Sequence, residues 1–238
     1  MKGERRKAKD EEGELTWLPF LLQTADALFP TGAYAHSLGF EESVRLGGVR
    51  DEASLRDFLF QQILPAQERQ ELPWLRFAFD AADLAELCAV DREVSAWKLA
   101  RETREASAQL GVRRLKALRT ISEAPLLAEF ESAIAAGRAS GHHLVVCAVQ
   151  ARVEGIPLDA ALTTYCYQSL AAVCAAALKL IRIGQDGVQR TLRTAGAETA
   201  RVIAASRTVA RGDAGTFNPL LEIAAMRHER AEERLFIS

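Results

Sequence analysis

Apolar side chains recur at three- and four-residue spacing along almost the whole chain, the period of a helix face rather than of a strand. Leu18, Leu21, Leu22 and Ala25 set the first such face, which Pro30 and Gly32 stop. Asp51 suits an N-cap for a helix carrying Leu55, Phe58, Leu59 and Ile63, expected to end before Pro65. Pro73 suits the first turn of the next helix, with Leu75, Phe79 and Leu84 inward. Leu99, Thr103, Ala106 and Leu110 define a helix whose polar face holds Arg101, Arg104, Arg113 and Arg114. Pro125 and Gly137 bracket another, and His142 to Glu154 makes one more, with Gly155 as its left-handed C′ residue. Pro157 opens a long alanine-rich run that Gly184-Gln185-Asp186-Gly187 breaks. Gly212 marks the end of a later helix, and Asn218-Pro219 pairs an N-cap with a first helical residue.

No segment alternates apolar and polar residues long enough to make a convincing strand, and no Ser/Gly-rich linker or internal repeat divides the chain. The pattern predicts an all-α fold, a single-domain bundle of roughly nine or ten helices around an alanine-rich central helix. That domain is expected over 15–238. Before it, Lys2, Arg5, Arg6, Lys7 and Lys9 run into Asp10, Glu11, Glu12 and Glu14, so 1–14 reads as a charged, disordered leader. The run from Leu158 to Ile183 has the length of a membrane span. Asp159, Gln168, Ser169 and Lys179 interrupt it, however, and alanine dominates its centre, so it is expected to be a buried helix.

Composition changes this picture little. Hydrophobic residues make up 49% and charged residues 26%, the balance of a soluble globular protein. Thirty basic against 32 acidic side chains give a net charge of −2, which excludes a global field favouring nucleic acid or an anionic membrane. Cys88, Cys147, Cys166 and Cys174 form no CxxC pair and sit in apolar surroundings. They read as reduced, buried thiols of a cytoplasmic protein.

Candidate chemistry is sparse. Ala35-His36-Ser37-Leu38-Gly39 imitates a relaxed nucleophile elbow, which would make Ser37 the nucleophile of a serine hydrolase. That chemistry needs a strand-to-helix turn, and Asp26-Ala27-Leu28-Phe29-Pro30 is no strand. The alternative is a turn in which Ser37 caps a helix beginning near Leu38. His228-Glu229 with Glu232 lacks the second histidine of a zinc-peptidase helix, and adjacent His142 and His143 diverge by about 100° on a helix. A metal carrier using His36, His142 or His228 is the remaining metal reading. No Gly-rich phosphate loop is present. The residues alone predict no catalytic machinery and no cofactor, hence a binding or scaffold role.

Four separated blocks carry a more specific signal. They are Leu21 to Gly32 continuing to Glu41, Arg101 to Gly111, Gly155-Ile156-Pro157 through Lys179 to Gly184-Gln185, and Phe217-Asn218-Pro219 through His228-Glu229 and Arg234-Leu235-Phe236 to Ser238. Together they resemble the urease accessory protein F family. The third block departs from the family's usual Arg-Leu-x-Pro-Leu-Gly-Gln, reading Lys179-Leu180-Ile181-Arg182-Ile183-Gly184-Gln185.

The resemblance implies an all-α adaptor without enzyme activity, often a homodimer. It would join urease accessory protein D (also called H) and the GTPase G, allowing GTP-dependent nickel insertion into apo-urease. It also implies that Asp26, Pro30, Gly32, His36, Ser37 and Glu41 shape a partner-binding surface. His228, Glu229, Arg234, Leu235 and Phe236 would belong to a tail that orders on its partners. On burial logic, the competing arrangement is that tail folded back on its own domain.

Overall fold

The computed structural model describes residues 15–32, 37, 39–215, 218–231 and 234–236; the expected leader and His36 lie outside the described residues. Among them every regular element is helical, and no strand forms. The first helix, α1 (Leu18–Ala25), carries a proline in its first turn, and α2 (Phe40–Arg45) is a short helix of six residues. The third, α3 (Glu52–Phe58), starts where Asp51 predicts. Its side chain accepts from the Ser54 N–H at 2.9 Å, while the Ser54 hydroxyl accepts from the Asp51 N–H at 3.1 Å. This reciprocal box satisfies amides that have no helical partner.

Pro65 does not end this helix as expected. The backbone widens into a π-turn over Leu59–Ile63, so the Leu64 N–H reaches the Leu59 carbonyl five residues back. A second widened turn over Gln67–Glu71 precedes Pro73, and the path continues into α4 (Leu72–Asp80). A proline ring clashes with the carbonyl four residues earlier in a regular helix; the extra residue in each π-turn shifts that carbonyl away.

Asp83 caps α5 (Leu84–Trp97) by accepting from the Glu86 N–H at 2.8 Å. There follow α6 (Arg101–Leu118), α7 (Pro125–Ala135), α8 (His143–Val153), α9 (Leu158–Leu180), α10 (Gln185–Gly196) and α11 (Thr199–Arg207). Gly137 and Gly155 close α7 and α8 at φ of 70° and 64°, values that favour glycine. Gly212 ends no helix. It lies in a 3₁₀ turn over Arg211–Asp213, after α11 has stopped at Arg207. Leu99 precedes α6 and is 50% exposed, so it is not part of the inward face. The last helix, α12 (Pro219–His228), begins with Asn218 Oδ1 accepting from the Leu221 N–H at 3.3 Å.

Two adjoining helices occupy the centre. Seven of the eleven residues of α8 are buried, among α6, α4, α9 and α7. The alanine-rich α9 packs against α10, α8, α11, α4 and α2. Its length and hydropathy would suffice for a membrane span, yet 44% of that window is buried against neighbouring helices. Among the described glycines the tightest surroundings are at Gly111. A Cβ there would stand 1.9 Å from the Gly141 carbonyl oxygen.

Buried polar groups tie the frame together. Asp91 accepts from the backbone N–H groups of Ser140 (2.5 Å), Gly141 (3.1 Å) and His142 (2.8 Å), just ahead of α8. This anchors a carboxylate where helix amides lack partners. The His142 ring lies between Ser95 Oγ (2.7 Å) and Ser107 Oγ (3.1 Å), and burial pushes its pKa down to about 4. Lys98 Nζ donates to Glu71 Oε1 at 2.7 Å and the Tyr165 hydroxyl donates to Glu71 Oε2 at 2.8 Å. Burial pushes the Glu71 carboxyl up, but the Lys98 charge and these hydrogen bonds outweigh it and hold it below the ordinary value. Arg114, expected on a polar face, is buried. It donates twice to Gln150 Oε1 (2.9 and 2.6 Å) and lies 5.3 Å from the Phe29 ring centroid. Among the described residues Cys88, Cys166 and Cys174 are buried free thiols, and burial pushes the latter two up to about 11.

Gly111→Ala is expected to lower unfolding stability by about 3 kcal/mol, the upper end of an overpacking penalty. Gly137→Ala, where a Cβ meets open space, should cost only about 1 kcal/mol of backbone strain. Urea midpoints of the two variants make the comparison. Because folding depresses the His142 pKa, the unfolded chain binds the extra proton. Stability contributed by neutral His142 is therefore present above about pH 6.5 and lost towards pH 4, by up to about 3 kcal/mol. Urea titrations at stepped pH should show a shallower slope over that interval in His142→Asn.

Candidate interaction site

The four sequence blocks meet where α2, α6, α9 and α12 come together at residues 234–236, hereafter the strap. Gly39, at φ 85°, turns the chain into α2, and a Cβ on it would lie 3.3 Å from the Ala225 nitrogen. Only glycine combines that backbone angle with so close an approach of α12. Ser37 is buried. Its carbonyl accepts from the Phe40 N–H at 3.0 Å and its Oγ accepts from the Glu41 N–H at 3.4 Å. The serine thus anchors the first turn of α2, and no described strand lies beneath it as a nucleophile elbow requires.

Two adjacent carboxylates on α2 do different work. Glu42, 1% exposed, accepts from Arg45 Nε (2.5 Å) and NH2 (2.7 Å) and from Arg227 Nε (3.0 Å), which joins α2 to α12. Those guanidinium contacts hold its carboxyl below the usual range. Glu41 faces the strap. Its Oε1 accepts from the Leu235 N–H at 2.7 Å and its Oε2 from the Phe236 N–H at 3.0 Å. Burial pushes the Glu41 carboxyl up, but the strap amides and His228 outweigh this and lower it overall.

His228 ends α12 and is 1% exposed. Its Nε2 lies 3.0 Å from Glu41 Oε2 and its Nδ1 2.9 Å from Glu102 Oε2, so the imidazole bridges α2 and α6. The other oxygen of Glu102 accepts from Arg234 NH1 at 3.1 Å. Beside it Arg101 donates to Glu229 Oε1 at 3.1 and 2.5 Å. Phe236 is buried with Lys179 Nζ 5.3 Å from its ring centroid, while Leu235 is 61% exposed. Residues 234–236 thus pack against their own domain in this chain.

The remaining sequence candidates lie elsewhere in the first block. Asp26 is exposed and its Oδ1 accepts from the Leu28 N–H at 2.8 Å. Pro30 is exposed, and Gly32, at φ 76°, sits under the Arg113 guanidinium, which a Cβ would meet at 2.8 Å. Sequence reading did not single out Glu42, Glu102 or Arg227. Glu102 stood inside the second block, and Glu42 follows Glu41 at the start of a helix, where acidic side chains are favoured. Among the described residues no three His, Cys, Asp or Glu side chains group as a metal site.

Glu41→Ala removes the shared acceptor of both strap amides and one partner of a buried ring. Trypsin should then release the last residues at least about tenfold faster, the loss of roughly 1.4 kcal/mol of local stability. Far-ultraviolet circular dichroism should stay unchanged; mass spectrometry of timed digests reads the cleavage.

The family model described as UreF matches residues 49–196. The urease accessory protein UreF of Arthrobacter sp. (strain FB24) is 38% identical over 223 residues, covering 92% of this chain and 96% of that protein. The UreF of Paenarthrobacter aurescens (strain TC1) is likewise 38% identical over 223 residues, with the same coverage. The UreF of Actinobacillus pleuropneumoniae is 32% identical over 221 residues, covering 92% of this chain and 97% of that protein. The chain belongs to the UreF family of urease accessory proteins.

Proposed function

We propose that the chain is an adaptor of urease maturation. It joins urease accessory protein D (also called H) and the GTPase G, and so allows GTP-dependent nickel insertion into apo-urease. Membership of the family supports the setting in urease maturation. The observation that supports the adaptor reading is a clasp to which all four blocks contribute: Glu41 holds the strap amides, Glu102 the Arg234 side chain, Lys179 lies over the Phe236 ring, and His228 joins Glu41 to Glu102. Arg234 and Leu235 remain accessible beside it, with Arg234 39% and Leu235 61% exposed.

In this reading the accessible residues meet the partners and the buried ones support them. Arg234 offers a planar fork of donors and Leu235 an apolar side chain, the kinds of residue that anchor protein interfaces. Ser37, Glu41 and His228 fix the strap from below, and Asp26, Pro30 and Gly32 shape the neighbouring loop. The protein works in the cytoplasm, as a homodimer, and carries no catalytic group of its own.

Co-expression with the D and G counterparts followed by affinity purification tests the proposal. The three proteins should elute together, and urease activation should fall when the chain is omitted. Arg234→Ala is expected to weaken complex formation by about tenfold, with helicity unchanged, as befits an interface anchor worth roughly 1–2 kcal/mol. Full recruitment of both counterparts by a chain lacking 234–238 would refute the role given to the strap.

A further inference from the structure

The proton count of the clasp does not close with a neutral His228 ring between two ionised carboxylates. A neutral imidazole has one N–H and one bare lone pair, whereas both ring nitrogens of His228 stand within hydrogen-bond distance of carboxylate oxygens, at 2.9 and 3.0 Å. With both carboxylates ionised and the ring neutral, one contact would set lone pair against lone pair in a site almost closed to water. The side chains are 1% (His228), 14% (Glu41) and 12% (Glu102) exposed. The geometry is complete only when the Glu41–His228–Glu102 cluster holds one further proton, which belongs to the three groups jointly.

We propose that this shared proton is a latch that holds the Arg234-Leu235-Phe236 strap on the domain, and that Glu102 is its positioning residue. The coupling is geometric. Glu41 grips the Leu235 amide through Oε1 and shares Oε2 between the Phe236 amide and His228, while Glu102 holds the ring through one oxygen and Arg234 through the other. Loss of the proton breaks one ring contact and leaves the carboxylates repelling each other through a bare nitrogen, so the strap loosens as pH rises. At the acid limit Glu41 itself gains a proton and loses acceptor capacity for the strap. Its lowered carboxyl keeps that limit below the ordinary carboxylate range.

The charged neighbours do not remove this requirement. From α2, Glu42 is occupied by Arg45 and Arg227. From α6, Arg101 is taken by Glu229 and Glu105. Arg234 of the strap meets Glu102 on the oxygen away from the ring, and Lys179 of α9 lies over Phe236. The latch is a property of the chain alone, and holds or fails whatever proteins the strap meets.

The experiment is a pH series from about 5 to about 9.5 on the full chain, following the Phe236 ring and Leu235 methyl carbons by NMR. In the parent protein the Phe236 signals should move from their docked positions to averaged ones as pH rises, with the docked fraction falling at least about tenfold. Glu102→Gln supplies the discriminating arm. Its amide N–H can donate to a neutral His228 while its carbonyl still accepts from Arg234, so the strap should stay docked across the whole range. Glu102→Ala should loosen it at every pH. A parent strap that stays docked throughout, or a Glu102→Gln profile that tracks the parent, would overturn the latch.

Discussion

A short segment outside any helix must find acceptors for its amides or leave them to water. The strap finds them on one side chain. Glu41 can serve Leu235, Phe236 and His228 together because an ionised carboxylate offers about four lone-pair sites on two oxygens. It stands in the first turn of α2, where the unpaired helix amides favour negative charge. A helix of six residues is too short to persist alone in water, so α2 depends on α12 to cover it. Glu42 and Arg227 bind those two helices, Glu41 and His228 bind them to the strap, and each element is ordered by the others.

The interior obeys a different rule. Asp91, Lys98, Arg114 and His142 are buried near the α8 axis, and each is engaged by a fixed partner: three backbone amides, Glu71, Gln150 and two hydroxyls respectively. Arg114 has no carboxylate among those contacts. Its charge is met by the Gln150 carbonyl and the face of Phe29, an arrangement suited to a guanidinium because it is more weakly hydrated than an ammonium. Removing any of these partners would leave a buried charge or dipole unpaired, which makes the centre costly to rearrange. Around Gly111 and Gly141 the helices are also too close to slide.

Local signals made most of the frame legible. Asp51, Pro125, Gly137, Gly155, Pro157 and Asn218 each act through contacts within a few residues, and each stands where its chemistry placed it. Pro65 misled because the π-turn before it is a response to packing: Leu59, Ile63 and Leu64 all reach the core. Arg114 misled for the same reason, its charge masking a position that tertiary contacts bury. The clasp was half legible. Glu41, His228 and Arg234 stood out in motif-like segments, but their meeting depends on contacts spanning 126 to 195 residues of sequence. Glu102 had no local mark beyond a place in a helical block, and only the folded chain brings it to the imidazole.

These two regimes bear on how one segment can open without unravelling the rest of the chain. The α8–α9 centre loses much if any helix leaves, whereas the strap buries one aromatic ring and otherwise rests on polar contacts near the surface. Local opening is easiest where few apolar groups are buried, so the strap can exchange its contacts while the bundle stays intact. An incoming protein that offered acceptors for the same amides and a pocket for Phe236 would replace what Glu41 and α9 supply, at little net cost in hydrogen bonds. Exchange of that kind is governed by differential affinity between docked and bound strap, not by the stability of the whole fold. The polar grip of Glu41 and Glu102 therefore sets how readily the strap opens, and the buried frame behind it fixes where that opening takes place.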